Sequence, residues 1–392
     1  MSAHSPFSVL QAELDQREAD GLLRRRRLVD GMQQPLLQVD GREVLSFCSN
    51  DYLGLASHPA LIAAMQQAAA AAGVGSGASH LITGHQRLHH DLEAALAGFV
   101  GLPRALLFST GYMANLGAVT ALVGRDDAVF ADRLNHASLN DAVVLSRAAL
   151  HRYPHNDVAA LERLLANSPA RRKLVLADAV FSMDGDIAPV PQLLAVCERY
   201  DAWLLLDDAH GFGVLGPHGR GVLEHYGVRS SRIIYMATLG KAAGVFGAFV
   251  AGDPQLIEYL LQTARTSIYT TAMPAALAGA LHAALAIIEH EGARRQRLRL
   301  LASMLRDRLR LRRWHLAPSD TPIQPLIIGS NEEAVLASEC LLKSGILVPA
   351  IRPPTVPKGT ARLRITLSAA HGMGDIERLV AALHAAESEL VA

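Results

Sequence analysis

The sequence lacks an excess of charge of either sign. Its 392 residues include 37 lysines and arginines against 37 aspartates and glutamates, so the formal net charge at pH 7 is zero. Proteins that bind nucleic acid usually carry a basic excess that offsets the phosphate charge. An acidic or basic tail is missing as well. The charge balance therefore argues against a nucleic-acid partner.

Cysteine and long apolar runs are also scarce. Cys48, Cys197 and Cys340 lie far apart without paired spacing, which favours a reduced compartment over a disulfide scaffold or a zinc–cysteine site. The N-terminus has scattered acidic residues and no apolar core of a signal peptide. The longest apolar stretch, residues 275–288, is too short to span a bilayer. We therefore expect a cytoplasmic enzyme with no membrane partner.

The pattern along the chain indicates an α/β protein. Residues 8–28 have the spacing of an amphipathic helix, and residues 36–47 that of a β-hairpin turning at Asp40-Gly41. Short apolar runs then alternate with Ala- and Leu-rich helical stretches, which predicts a mostly parallel sheet covered by helices. The predicted strands are 105–108, 128–131, 174–177, 203–206, 233–237 and 247–251.

The rhythm changes in the last quarter of the chain. Residues 275–313 indicate one or two long helices, and after Pro318 short strands alternate with helices. We expect a smaller α+β domain there. The predicted division is an N-terminal helix and hairpin segment (1–48), a large domain (49–285) and a small C-terminal domain (286–392).

Polar clusters follow several predicted strands, at the edge where open α/β sheets bind ligands. They are Ser109-Thr110-Gly111-Tyr112, residues 132–136, residues 178–182, Asp207-Asp208-Ala209-His210 and Thr238-Leu239-Gly240-Lys241. A purely structural sheet would more often place simple turn residues at these positions. Their convergence on one edge predicts a binding site.

Lys241 and Asp207 are the central candidates for chemistry. No acid lies near Lys241 in sequence, and an apolar setting lowers a lysine pKa, as an amine nucleophile requires. Taken alone, however, the position favours a solvated loop lysine. Asp207 ends a buried strand, where it is either a turn residue or a carboxylate that keeps a pyridine nitrogen protonated. His210 lies three residues further on, within reach of the same ring.

A phosphate site is predicted where the first strand runs into a helix. Free N–H groups at the start of this helix, beside Gly111 and Tyr112, suit an anion. Ser182 and Thr238 add hydroxyls at neighbouring strand ends. His136 is a candidate for stacking on a flat cofactor.

Two other motifs do not support a function. Residues 73–77 are glycine-rich but follow an alanine-rich helix rather than a strand, so a dinucleotide fingerprint is not indicated. His89-His90 and the pair His151 and His155 have no third ligand at metal spacing. We therefore predict no metal.

These motifs together resemble the α-oxoamine synthase family of fold-type I pyridoxal-phosphate enzymes, over essentially the whole chain. The resemblance is carried by Ser49-Asn50-Asp51-Tyr52-Leu53-Gly54-Leu55, Asp207-Asp208-Ala209-His210-Gly211, Thr238-Leu239-Gly240-Lys241-Ala242, Arg352-Pro353-Pro354-Thr355-Val356-Pro357 and Arg362-Leu363-Arg364. Asp178, His80 and Ala275 depart from the family pattern.

The resemblance implies a role for each matching residue. Lys241 would carry the cofactor as a Schiff base, Asp207 would pair with its ring nitrogen, and His136 would stack on the ring. Gly111, Tyr112, Ser182, His210 and Thr238 would hold the cofactor, and Thr270 and Thr271 would reach the phosphate of a neighbouring subunit. Arg352 would bind the carboxylate of the amino acid. Arg24 and Thr355 would contact the acyl substrate.

The resemblance also implies substrates and assembly. The branch of the family that shares the segment around Arg352 condenses L-alanine with pimeloyl-CoA or pimeloyl-acyl carrier protein, as a homodimer with shared active sites. Three alternatives stay open. They are a sister enzyme such as a glycine C-acetyltransferase, an aminotransferase, and a non-catalytic subunit of a synthase.

Overall fold

The computed structural model describes residues 5–20 and 22–391 of the chain. The N-terminal segment contains the helix α1 (Val9–Ala19) and the strands β1 (Val29–Asp30), β2 (Leu36–Val39) and β3 (Arg42–Ser46). β2 and β3 form the predicted hairpin. Both turn residues, Asp40 and Gly41, have positive φ, which explains the aspartate-glycine pair at this turn.

The predicted helix over residues 8–28 is wrong in its extent. α1 ends at Ala19, and residues 24–27 are exposed and have no helical structure. No side chain of α1 is buried. Because most helical stability comes from packing an apolar face, nothing in this segment extends the helix to the arginine run.

The second part of the chain alternates helices and strands as predicted. Its helices are α2 (Pro59–Ala72), α3 (Arg87–Val100), α4 (Gly111–Leu122), α5 (Ala137–Ser146), α6 (Val158–Ala166), α7 (Val190–Arg199), α8 (Val222–Tyr226), α9 (Pro254–Thr263), α10 (Arg265–Ile268) and α11 (Ala275–His290). Its strands are β4 (Arg104–Phe108), β5 (Ala128–Asp132), β6 (Ala149–Tyr153), β7 (Lys173–Asp178), β8 (Trp203–Asp207), β9 (Ile233–Thr238) and β10 (Ala248–Gly252). A π-helical turn, His80–Gly84, precedes α3.

These strands form one seven-stranded sheet in the order β4-β10-β9-β8-β7-β5-β6. Only β10 runs against its neighbours, so the predicted mostly parallel sheet is confirmed. Every predicted strand is present. The sequence did not reveal β6, because this edge strand is largely exposed and carries no apolar run. The central strands are apolar on both faces, since helices cover both sides.

The C-terminal part begins with a long helix and ends with another. Its elements are α12 (Gly292–Arg308), β11 (His315–Leu316), β12 (Ile323–Gly329), α13 (Asn331–Lys343), β13 (Ile346–Leu347), β14 (Ala350–Ile351), β15 (Ala361–Thr366) and α14 (Met373–Val391). Strands β11, β12, β15 and β14 form one sheet, while β13 pairs in parallel with β3 of the N-terminal hairpin. We propose the boundaries 1–48, 49–285 and 286–392 for the three parts, because the seven-stranded sheet falls within the second.

Two contacts bring the C-terminal part against the sheet edge. Arg362 forms an ion pair of 2.6 Å with Asp184, and Arg364 donates from Nε to the Ser182 carbonyl at 2.6 Å. Both arginines come from β15, and both acceptors lie in the loop after β7. In the described part of the chain, no helix combines the length and the apolar character needed to cross a membrane.

Candidate active site

A cavity of about 190 Å³ opens at the carboxyl edge of the seven-stranded sheet. The strands β7, β8 and β9 end there side by side and α4 and α5 begin there. The residues that line the cavity are Gly111, Tyr112, Asn115, His136, Ser138, Asp178, Asp207, Ala209, His210, Met236, Thr238 and Lys241. The fold therefore brings most of the predicted cofactor residues to one place.

Lys241 follows β9, and its amine is buried in this cavity. Its Nζ atom lies 2.9 Å from Nε2 of His210. Burial lowers the pKa of Lys241 to about 8, and the nearby Arg364 acts in the same direction, although Asp207 and Asp178 oppose both. At pH 7 about a tenth of this amine is thus unprotonated, far more than for an exposed lysine.

Asp207 is fixed at the end of β8 by two donors. The Asn115 amide donates to Oδ2 at 2.7 Å, and the Ala209 N–H donates to Oδ1 at 3.1 Å. Asn115 also donates to Ser138 Oγ at 2.9 Å, so α4 and α5 both hold the carboxylate in place. No role for Asn115 was predicted from the sequence, which indicated only that this residue lies in the first turns of a helix.

Asp178 lies beside Asp207 at the end of the neighbouring strand, and the two residues are paired in register. Burial raises the pKa of Asp178 well above its usual value, and the charge of Asp207 raises it further. The His136 N–H donates to Oδ1 of Asp178 at 3.1 Å. Asp178 is therefore harder to ionise than an exposed aspartate, although the His136 N–H opposes this, and Asp207 is the carboxyl group with two fixed donors.

His136 and His210 flank the cavity. Burial lowers the pKa of both imidazoles, and the nearby Lys241 lowers them further, whereas Asp207 and Asp141 oppose the shift at His136. His136 Nδ1 lies 2.8 Å from Ser138 Oγ. His210 Nδ1 lies 2.6 Å from the hydroxyl of Tyr52, which fixes the ring between this tyrosine and Lys241.

A second line of polar contacts leads away from Tyr52. Its hydroxyl lies 3.3 Å from Oδ1 of Asn50, and both terminal nitrogens of Arg364 are 3.3 Å from the same oxygen. Arg364 is buried. Asn50, Tyr52 and Arg364 belong to the motifs that carry the family resemblance. The resemblance implied no role for them and did not place them near Lys241.

The start of α4 provides the predicted anion site. Thr110 caps the helix by accepting from the Met113 N–H at 3.1 Å, and Gly111 and Tyr112 line the cavity directly after it. Thr238, at the end of β9, lies beside the same turn. If Gly111 had a Cβ atom, that atom would lie 3.7 Å from the Cβ of Thr238. Helix N-terminal N–H groups and a hydroxyl suit a phosphate.

The other predicted residues lie outside the cavity wall. Ser182 lies in the loop after β7, and its carbonyl accepts from Arg364. Thr270 and Thr271 lie between α10 and α11, and Thr271 is exposed. Arg24 is exposed near the N-terminus. Arg352 and Thr355 lie in the loop between β14 and β15, where the Thr355 N–H donates to the Arg352 carbonyl at 3.0 Å.

Known proteins are similar to this chain over nearly its whole length. The family model for aminotransferase class I and II matches residues 42–383. The chain is 66% identical to 8-amino-7-oxononanoate synthase of Methylobacillus flagellatus over 381 residues, which cover 97% of this chain and 96% of that protein.

Solved structures are similar over most of the chain. SPT (serine palmitoyltransferase) with its PLP internal aldimine has a TM-score of 0.92 and 30% identity, with 100% of both chains covered. The 8-amino-7-oxononanoate synthase of Francisella tularensis has a TM-score of 0.76 and 30% identity, with 89% of this chain and 98% of that chain covered.

Proposed function

The chain belongs to the class I and II aminotransferase family and, within it, to the 8-amino-7-oxononanoate synthases, and from this premise we propose its substrates and the roles of its residues. It is a pyridoxal-phosphate-dependent acyltransferase of biotin biosynthesis. We propose that it condenses L-alanine with a pimeloyl thioester, giving 8-amino-7-oxononanoate, CO₂ and the free thiol. The observation that carries this proposal is the buried amine of Lys241, which shares one cavity with Asp207.

The donor set of the cavity fits pyridoxal phosphate. Lys241 offers an amine for covalent attachment, Asp207 a carboxylate for the ring nitrogen, and the first turn of α4 a row of N–H groups for the phosphate. Thr238 adds a hydroxyl for the phosphate, and His136 and His210 would flank the ring. Ser182 lies outside the cavity wall and remains a proposed phosphate contact from the sequence and the family resemblance alone. When bound, this cofactor supplies an electron-withdrawing ring that weakens the bonds at the α-carbon of an amino acid.

Lys241 is the proposed proton acceptor. Its pKa of about 8 leaves the amine partly unprotonated near neutral pH, so it removes the α-proton of L-alanine without first losing a proton to solvent. Asp207 keeps a proton on the ring nitrogen, and Asn115 and Ala209 hold the carboxylate in the position this requires. The amino acid's carboxylate leaves as CO₂ after the new carbon–carbon bond has formed.

Two arginines are candidates for binding the carboxylate of L-alanine. Arg352 is our proposal from the family resemblance, and it lies in a loop made stiff by Pro353, Pro354 and Pro357. Two observations favour Arg364 as a second candidate. Its charge lowers the pKa of Lys241, and both terminal nitrogens of its guanidinium donate to Oδ1 of Asn50. Replacing each arginine by lysine separates the two. The residue that binds the carboxylate gives the larger increase in KM for L-alanine.

We propose that the acyl substrate contacts Arg24 and Thr355. Both are exposed, as residues that meet a large thioester would be. The distal carboxylate of a pimeloyl group requires a cationic or hydrogen-bonding partner, and a site built for it rejects an acetyl group, which leaves those polar atoms unpaired. The methyl group of L-alanine contributes less, about 1–3 kcal/mol, so glycine is disfavoured but not excluded.

We also propose a homodimer with shared active sites, acting in the cytoplasm. The loop that carries Thr270 and Thr271 is open on the single chain, and its Tyr269 is 72% exposed. A second copy that covers this loop would bring both threonines to the partner's phosphate. The free thiols of Cys48, Cys197 and Cys340 suit a reducing compartment.

Direct competition between substrate pairs tests the proposed reaction. Purified protein is assayed with L-alanine and pimeloyl-CoA, with L-alanine and pimeloyl-acyl carrier protein, and with glycine and acetyl-CoA. We expect faster turnover with a pimeloyl thioester and L-alanine. Faster turnover of glycine with acetyl-CoA would instead assign the chain to a sister activity.

A reduction experiment tests the site independently of substrate choice. Borohydride should bleach the visible absorption of the purified protein and leave a pyridoxyl group on Lys241, found by peptide mass spectrometry. A protein that holds no reducible cofactor would be the non-catalytic subunit. A keto-acid product from L-alanine without any thioester would indicate an aminotransferase.

A further inference from the structure

Three histidines cluster outside the cofactor cavity, and the proposed reaction uses none of them. His80 begins the π-helical turn, His85 follows it, and His89 lies in the first turn of α3. The Nδ1 atoms of His80 and His85 are 2.9 Å apart. One ring nitrogen from each of the three residues lies within 4.8 Å of the others.

We propose that His80, His85 and His89 form a binding site for a divalent cation of the zinc type. Imidazole nitrogen is a preferred ligand of Zn²⁺, Cu²⁺ and Ni²⁺. Three protein ligands with one open position are the usual arrangement of an accessible zinc site. Two nitrogens bound to one tetrahedral zinc lie about 3.3 Å apart, as follows from bonds of about 2.0–2.1 Å. To reach that separation, the 2.9 Å between the Nδ1 atoms of His80 and His85 must widen, and separations of up to 4.8 Å within the cluster must shorten.

The protonation state of the cluster suits a cation. Burial lowers the pKa of all three imidazoles, and the rings also repel one another as cations. The pKa of His80 is lowered to about 4. The only contact that opposes this for His89 is its bond to the Met273 carbonyl. One nitrogen of each neutral imidazole has a free lone pair, but the contact between the Nδ1 atoms of His80 and His85 needs a proton on one of them. Binding through both Nδ1 atoms therefore requires that ring to carry its proton on Nε2.

His89 has the support that metal-bound histidines usually have. Its Nε2 atom lies 2.7 Å from the Met273 carbonyl oxygen, to which it donates. Such a bond to a backbone carbonyl fixes the tautomer and leaves Nδ1 as the ligand atom. Nδ1 accepts from the Gln86 N–H at 3.1 Å, a bond that the cation would replace. This competition, and the dipole of α3, make the site weaker than a structural zinc site.

An open cavity of about 590 Å³ is lined by His80, His85, His90 and Glu93, among other residues, so a cation has access to two of the three proposed ligands. His89 is fully buried and does not line this cavity. Burial raises the pKa of Glu93 to about 7, so this carboxyl group becomes an anion more readily when a cation is nearby. The cavity leaves room for water at the fourth position of the metal. The sequence predicted no metal because His89-His90 has no third ligand at metal spacing; the fold supplies His80 and His85 from the preceding turn.

The cation would also act on the loop that carries Thr270 and Thr271. The Met273 carbonyl accepts from both His89 and Ser76, and the Ala272 N–H donates to the Ala78 carbonyl at 3.0 Å. A cation on His80, His85 and His89 would hold the segment of residues 80–89 in place, and this segment contacts the loop through the bond between His89 and the Met273 carbonyl. We expect tighter retention of the cofactor as a result. This consequence rests on the proposed role of the threonines, whereas the cation site does not.

The site is tested with untagged holoenzyme that has been treated with EDTA and desalted. Zn²⁺ is titrated in competition with a chromophoric chelator, and Co²⁺ is titrated while the visible spectrum is recorded. We expect one cation per chain and the strong absorption bands of tetrahedral cobalt. His85→Gln and His80→Asn should each weaken binding by about 100-fold or more. His90→Gln is the matched control, because His90 lies beside His85 but outside the cluster.

Several outcomes would overturn the proposal. They are no binding by the wild-type protein, unchanged binding by His85→Gln, and an equal loss in His90→Gln. Circular dichroism shows whether each variant has folded. If His85→Gln does not fold, Cu²⁺ bound to the wild type decides the question, because its electron paramagnetic resonance spectrum shows coupling to the ligand nitrogens. A spectrum without such coupling contradicts the site. Cofactor retention is measured separately, so the proposed function can fail while the cation site stands.

Discussion

His210 and His155 lie at the same edge of the central sheet, but their pKa values are shifted in opposite directions. His210 follows β8 and faces Lys241 and Arg364; burial and these cations keep its pKa well below the usual value. His155 follows β6 and lies between Asp132 at 3.2 Å and Asp186 at 2.8 Å. Burial alone would lower its pKa too, but the two carboxylates raise it to about 10.

The comparison shows that neighbouring charges decide what a buried histidine does in this protein. The imidazole of His210 is kept neutral, so this ring and the Lys241 amine are available for hydrogen bonding and proton transfer. The region around His155 is an ionic cluster, in which the Asn156 amide also donates to Asp186 at 2.8 Å. This cluster anchors the loop after β7, in which the Ser182 carbonyl accepts a hydrogen bond from Arg364. The residues around His210 take part in the proposed chemistry, whereas the ionic cluster around His155 holds the loop after β7 in place.

The largest expected effect on turnover comes from replacing Lys241, which lies beside His210. Lys241→Ala should abolish turnover and leave the fold intact, because its role is chemical. The variant should still bind cofactor loosely, and borohydride should leave no pyridoxyl group on the protein. Lys343→Ala, at the exposed end of α13, is the control and should behave as wild type. Steady turnover by pure Lys241→Ala would remove this residue from the mechanism.

Asp207→Asn should be nearly as severe for turnover. An amide cannot hold a proton on the ring nitrogen, so we expect kcat to fall by about 10²–10⁴-fold while covalent attachment of the cofactor survives. Single-turnover measurements and borohydride trapping on the same sample separate the two effects. Activity within a few-fold of wild type would mean that Asp207 does not face the ring nitrogen.

Tyr52→Phe tests how the neutral histidine is oriented. The variant removes the hydroxyl that lies 2.6 Å from His210 Nδ1 and leaves the ring packing unchanged. The loss of one buried hydrogen bond, about 1 kcal/mol, predicts a fall in kcat of roughly fivefold to tenfold. The cofactor's absorption spectrum should change with pH differently from that of the wild type. An unchanged rate and an unchanged spectrum would show that His210 is positioned without this tyrosine.

The sequence predicted that Lys241 and Asp207 lie at one edge of the sheet, but it did not predict the ion cluster. Asp207 ends a strand and Lys241 follows one, so their positions come from the alternation of strands and helices alone. The ion cluster is different, because Asp132, His155 and Asp186 come from three separate segments that meet only when the sheet is ordered. β6, which precedes His155, has no apolar run that would reveal it. The same holds for Arg364, which reaches the cavity from a strand of another sheet.

His155→Gln should leave turnover closest to wild type and lower stability instead. The folded pKa of about 10 lies above the ordinary value of 6.5, so the charge of His155 stabilises the fold fully below about pH 6.5, and this contribution is lost as the pH rises through 10. We expect a loss of about 2–3 kcal/mol in the free energy of unfolding at pH 7, because the buried carboxylate of Asp132 and the partly buried one of Asp186 lose their cation. The difference from wild type should shrink as the pH approaches 10.

Urea unfolding of both proteins across this pH range measures the effect. His218→Gln is the control: His218 also pairs with a carboxylate, Glu224, but its side chain is 58% exposed, so the loss should stay below about 1 kcal/mol. Equal losses in the two variants would show that the pair of carboxylates gives His155 no special role. A fall in kcat larger than that of Tyr52→Phe, with unchanged stability, would place His155 within the chemistry and remove the contrast between the two regions.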